Sequence, residues 1–266
     1  MQGVCVQMRK DYHTHPTVFA APERFEQYVQ QAERNRVHAL CVTDHMPLSA
    51  SRDGDRIPVG HVKEYCAIVR KLAEKYEDRL RVLCGIEVDY HPSVLGEIKA
   101  VLEAGEFDCI LASSHMHVFV QDFDRYSYSD FAAMALENSL RAVETGWFQI
   151  VTHLDMYRFA FENPHRFPLR PDLYDPENHK DLIRELLLSI KNKNMYLEIN
   201  PHLAESKGDP RFLYPQEQIT RWALEAGVCF SYGSDAHTPG SVGAWMDLLE
   251  THPVYGPAMK QWEAKA

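Results

Sequence analysis

The chain has 266 residues, 45% of them hydrophobic, and a formal net charge of −10. Length and apolar content suit one sizeable core, so a single domain over residues 1–266 is expected. No run approaches the roughly 18 apolar residues of a membrane span, and residues 1–10 lack a basic stretch followed by an apolar one. The acidic balance argues against extended contact with nucleic acid. A cytoplasmic protein with no membrane partner is expected, its oligomeric state open.

In chain order, short apolar runs alternate with amphipathic ones. Residues 7–11, 38–43, 81–88, 107–113, 148–152, 194–199 and 228–232 read as seven strands, apolar enough to be covered on both faces. Between them, residues 23–36, 61–76, 94–104, 129–145, 178–192 and 215–226 read as helices, with a last one near 244–250. Leu182, Leu186, Leu187 and Ile190 make one buried stripe. Ser129 and Pro215 are expected helix starts, and Gly146 and Gly227 expected stops. Seven βα units predict a parallel α/β barrel, distorted because seven is not eight. A long proline-rich loop, 158–177, suits either a surface excursion or part of a substrate pocket.

The six cysteines form no Cys-x-x-Cys pair and most sit in apolar runs, so reduced structural thiols are expected.

The strand ends carry the chemistry. Each apolar run finishes in a histidine, an acid or an asparagine: Asp11-Tyr12-His13-Thr14-His15, Thr43-Asp44-His45, Gly85-Ile86-Glu87-Val88-Asp89, Ser114-His115-Met116-His117, His153-Leu154-Asp155, Glu198-Ile199-Asn200 and Gly233-Ser234-Asp235-Ala236-His237. Residues two apart on an extended backbone face the same way, so His13 with His15, His115 with His117, His153 with Asp155, and Asp235 with His237 can each reach one site. A single His-x-His also suits paired core histidines. Recurrence at four strand ends without an ion would leave costly unpaired polar groups. Glu87, deep in an apolar run, has two oxygens that can bridge neighbouring cations, or it pairs with an arginine such as Arg81. Imidazole and carboxylate without thiolate fit Zn, Mn or Fe. A water activated between two such ions would be a hydrolytic nucleophile. Arg158 has a planar fork suited to an anionic group, unless it is in a surface ion pair.

In this order the motifs resemble the PHP (polymerase and histidinol phosphatase) family, and residues 85–90 and 198–240 are most similar to its histidinol-phosphatase branch. The resemblance implies a distorted (β/α)7, TIM-like barrel with two or three divalent metals at the C-terminal strand ends. It assigns His13, His15, Glu87 and Asp235 to a first metal. Glu87 bridges to a second completed by His115 and His153, and His45 and His237 serve a third. Relatives carry a further histidine where this chain has Ala21. The third metal would then be weaker, completed by water, or held by His91, His117 or His202. The implied reaction is hydrolysis of a small phosphomonoester, L-histidinol phosphate by the branch. Glu87, Asp235 and His237 would be catalytic, and Arg158, His117 and His202 would contact substrate. Asp89, Asp155 and Glu198 are the acids expected to meet a cationic amine. A nucleotide, sugar phosphate, cyclic phosphate or phosphodiester is the alternative substrate, and a catalytically silent metal-binding domain the alternative class.

Overall fold

The computed structural model describes residues 8–49, 51, 54–120, 125–158 and 174–263, with side chains described as far as 260. Most of the long loop, and Cys5, lie outside the described residues. Seven strands, β1 (Arg9–Thr14), β2 (Val37–Val42), β3 (Arg81–Asp89), β4 (Cys109–Ser113), β5 (Ile150–Val151), β6 (Tyr196–Ile199) and β7 (Cys229–Tyr232), follow one another in a sheet in sequence order. Every neighbouring pair is parallel. Past β7 the chain reaches back to β1, where Asp235 N donates to His13 O at 2.8 Å and His15 N to Ala236 O at 2.9 Å. The result is a nearly closed, distorted TIM-like barrel.

Helices α1 (Phe25–Arg34), α2 (Val62–Tyr76), α3 (Leu95–Ala104), α4 (Met116–Phe119), α5 (Tyr128–Thr145), α6 (Lys180–Asn192), α7 (His202–Lys207), α8 (Glu217–Ala226), α9 (Met246–Thr251) and α10 (Tyr255–Glu263) are all described. α6 buries Leu186, Leu187 and Ile190 as its periodicity predicts, with Ile183 in the place expected of Leu182, which is only partly buried. α5 starts one residue earlier than expected because Ser127 and Asp130 form a reciprocal capping box, so Ser129 lies inside the helix. Pro215 precedes α8 by two residues and does not open it. Gly146 and Gly227 end α5 and α8 with φ of 69° and 74°, the left-handed caps expected of glycine. No helix of the described residues is long and apolar enough to cross a membrane.

Strand alternation divides the barrel interior by height. On β3, Leu83, Gly85 and Glu87 share one face. Leu83 packs at the N-terminal end against Cys41, Cys109, Leu111, Ile150, Tyr12 and Tyr196. Gly85 sits where the barrel is tightest: a Cβ there would lie 2.6 Å from Cys41 Sγ and 2.9 Å from Cys109 O. Glu87 emerges at the other end, fully buried among histidines. The described cysteines 41, 66, 84, 109 and 229 are all free thiols.

Candidate metal centre at the barrel mouth

All seven strands deliver a polar group, at or just past their C-terminal ends, to one cavity of about 630 Å³ or to the wall directly behind it. β1 carries His13 and ends just before His15. Their Nε2 atoms stand 2.9 Å apart, and His15 Nε2 is 3.2 Å from Asp235 Oδ1 and 3.4 Å from Glu87 Oε2. His13 Nε2 is 3.5 Å from that same Glu87 oxygen and 3.7 Å from Asp235 Oδ1. Four donor atoms therefore converge at 2.9–3.7 Å. Ligands at 2.0–2.1 Å around a tetrahedral zinc would stand about 3.3 Å apart, so the spacing fits such an ion.

Glu87 Oε1 faces a different pair. His153 Nε2 lies 3.0 Å from it and His115 Nε2 3.7 Å. The carboxylate thus divides its oxygens between two imidazole groups. Oε2 is buried without a hydrogen bond although His45 Nδ1 is only 2.8 Å away, and His45 Nδ1 is likewise unbonded. Close buried donors that do not bond one another are what ligands to a shared cation present. The His15 ring stacks on His45 and on His237, with centroids 4.2 and 4.4 Å away.

Charges behind the cavity aim these rings. Glu198 Oε1 meets His13 Nδ1 at 2.6 Å, and its Oε2 accepts from His153 N at 2.9 Å and Asn200 Nδ2 at 3.0 Å. Asp89 Oδ1 holds His115 Nδ1 at 2.5 Å while Oδ2 takes the Arg56 guanidinium. A carboxylate on one ring nitrogen fixes the tautomer that presents the other as a lone pair. Asp11 accepts from Ser234 N and Gly243 N, tying β1 to the segment after β7. Asp44 accepts from Thr17 N and Val18 N. Burial pushes both of these acids up to about 6. Gly233 is required by close approach, since a Cβ would fall 2.1 Å from Glu198 Oε1 and 2.4 Å from His13 Cβ. His153 and Asp235 hold positive φ, 22° and 54°, a strained backbone that a functional site commonly retains.

Burial opposes charge on every group here, and the neighbours decide. The imidazoles of His45, His115 and His13 outweigh it at Glu87 and keep that carboxyl well below its usual range. His13 does the same for Asp235, aided by His15. Conversely, Glu198, Asp235 and Glu87 overcome burial to lift His13 well above its ordinary value, and Glu87 raises His45 to about 9. At His15 burial wins, with His45 adding to it. Ionised carboxylates so deeply buried call for positive charge, and divalent cations would supply it.

His117 and His202, expected to contact substrate, line the cavity. His117 does not share a strand face with His115, because the chain turns into α4 at Met116. Other expectations are corrected. Arg158 does not line this cavity: its Nε pairs with Asp155 at 2.7 Å and its guanidinium donates to the carbonyls of Arg211 and Leu213. Asp155 also accepts from Gln216 N and does not line the cavity. Asp89 and Glu198 are buried and engaged through both oxygens, Asp155 is buried with Oδ2 on Arg158 and Gln216, and none of the three lines the cavity where a substrate amine would sit. His91 stacks on Phe119 and bonds Ser93 outside the cavity. Ala21 offers no donor atom; it precedes a short 3-10 turn, Pro22–Arg24. Sequence reasoning missed Ser51, Asp55 and Arg56, which line the cavity from the irregular segment between β2 and α2. No periodicity marks that segment.

A PHP-domain family model matches residues 11–202. The chain belongs to the PHP family. It is 28% identical over 258 residues to a Deinococcus radiodurans protein named "Probable histidinol-phosphatase", covering 91% of this chain and 90% of that one. It is 23% identical to the histidinol-phosphatase of Bacillus subtilis, covering 91% and 98%. The structure of the Lactococcus lactis histidinol phosphate phosphatase, solved with zinc, L-histidinol and phosphate, superposes with a TM-score of 0.70 at 17% identity, covering 92% of this chain and 93% of that one. The last shows the shared fold. With the family, these relatives make this chain a metal-dependent phosphatase of the PHP hydrolases.

Proposed function

We propose that the protein is a phosphomonoesterase acting on L-histidinol phosphate, releasing L-histidinol and phosphate. The observation that carries the site assignment is Glu87, whose two oxygens face two different imidazole groups. In this reading His13, His15, Asp235 and Glu87 hold one divalent ion, and Glu87, His115 and His153 hold a second, both of Zn, Mn or Fe type. His45 and His237 flank a third position, weakened by Ala21. Bound cations would supply Lewis acidity at the phosphoryl oxygens and acidify the attacking water toward a pKa of about 7.

The protein's own groups do the rest. Glu198 and Asp89 lock the His13 and His115 rings, so the donor set is organised before substrate arrives. His117 and His202 stand on the wall within reach of a bound ester. His237 bonds through Nδ1 to the Asp235 carbonyl at 2.9 Å and is 39% exposed at its side chain. That position suits proton transfer from its other nitrogen to the departing alkoxide better than a buried ligand role. The substrate follows from the histidinol-phosphatase relatives. Steady-state comparison of L-histidinol phosphate with p-nitrophenyl phosphate and AMP, metal-replete, tests it. The expected kcat/KM is highest for histidinol phosphate. Equal values for all three would remove that substrate and leave the phosphatase.

A further inference from the structure

The cavity rim holds a carboxylate, its side chain 45% exposed, that makes no hydrogen bond among the described residues. Asp55, at the rim, directs its Oδ2 toward His45 Nε2 at 4.0 Å, beyond hydrogen-bond reach, while its Oδ1 is buried and unbonded. Its neighbour Arg56 gives its guanidinium to Asp89, Ser51 Oγ and Met46 O instead. Among the described residues the acids lining the cavity are Asp55, Glu87 and Asp235, and the last two belong to the donor cluster. Among the described residues Asp55 is therefore the lining carboxylate that stands outside the donor cluster.

That charge has a consequence for selectivity. A phosphate ester brought to the cation cluster carries its negative end close to Asp55, and like charges at this range repel. A neutral alcohol moiety offers nothing in return. A substrate with a positive group beside its phosphate converts the repulsion into a charge-assisted hydrogen bond, which also satisfies Oδ1. We propose that Asp55 is the specificity-determining carboxylate of this site, pairing with an ammonium or other cationic group that the substrate carries next to its phosphate. The inference rests on the phosphomonoesterase reading above and replaces Asp89, Asp155 and Glu198 in the amine-binding role.

The test compares wild type with Asp55→Asn, which keeps shape and removes charge, on 2-aminoethyl phosphate, glycerol 3-phosphate and L-histidinol phosphate. The measured quantity is the kcat/KM ratio of the aminoethyl to the glycerol ester, with bound metal per chain determined in parallel. Wild type should favour the amine, and Asp55→Asn should lower the ratio about tenfold, the scale of one charge-assisted contact, with metal content unchanged. Asp55→Glu should restore part of it. An unchanged ratio overturns the proposal, as does a fall accompanied by metal loss, which would make Asp55 a metal ligand. If the ratio falls as expected but histidinol phosphate is turned over no faster than aminoethyl phosphate, Asp55 keeps its role and the histidinol assignment alone fails.

Discussion

The two ends of the barrel interior are built from the same strands by the same two-residue alternation and have opposite chemistry. At the N-terminal end, Cys41, Leu83, Cys109, Leu111 and Ile150 make an apolar plug whose stability comes from excluded water and close packing. Two steps along β3, past the glycine that lets β2 and β4 approach, Glu87 stands among five histidines: 13, 15, 45, 115 and 153. Along β6, Tyr196 packs with the plug, and Glu198 on the same face orients His13 and the His153 backbone. The plug supports itself. The mouth is a set of buried charges that balance only with protons or cations between them. One end is a foundation, the other a binding site that costs stability when empty.

That contrast can be broken or sharpened by substitution. Glu87→Ala removes the oxygen pair facing both imidazole groups, so activity should fall by more than the roughly 100-fold upper range for outer-shell changes. Near wild-type turnover in a metal-replete assay would refute the bridging role. Glu198→Gln keeps the shape behind His13 but removes the charge that fixes its ring. Metal affinity, read by competition with a chromophoric chelator, should weaken about 10–100-fold. An unaltered affinity would mean that Glu198 serves packing alone. At the other end, Leu111→Ala should cost about 2–5 kcal/mol of stability by opening a cavity in the plug. Thermal denaturation should report that loss while metal content per chain stays at the wild-type value. A matching loss of metal would show that the two ends are not independent.

Legibility followed the same division. The strands and most helices were readable because burial imposes a period on the sequence, and the donor residues because polar groups ending apolar runs break it. His13 and His15 kept the shared approach that an extended backbone implies, since β1 continues to Thr14. His115 and His117 did not, since β4 ends at Ser113, yet both reach the cavity. Partnership was the harder question. Nothing in the sequence distinguished Glu198, held behind His13, from an acid facing substrate, or announced that Arg158 would turn to Asp155. Those choices are made by three-dimensional neighbours far apart in the chain. Asp55 was invisible for a different reason: it lies in a segment without period or motif.

The central claim is that the mouth holds two cations sharing Glu87. Elemental analysis of protein purified without chelators, and again after supplying Zn or Mn and removing the excess, measures it directly. The account predicts at least two divalent ions per chain, falling below two in Glu87→Ala. A wild-type value of one or fewer that persists after metal is supplied would contradict it.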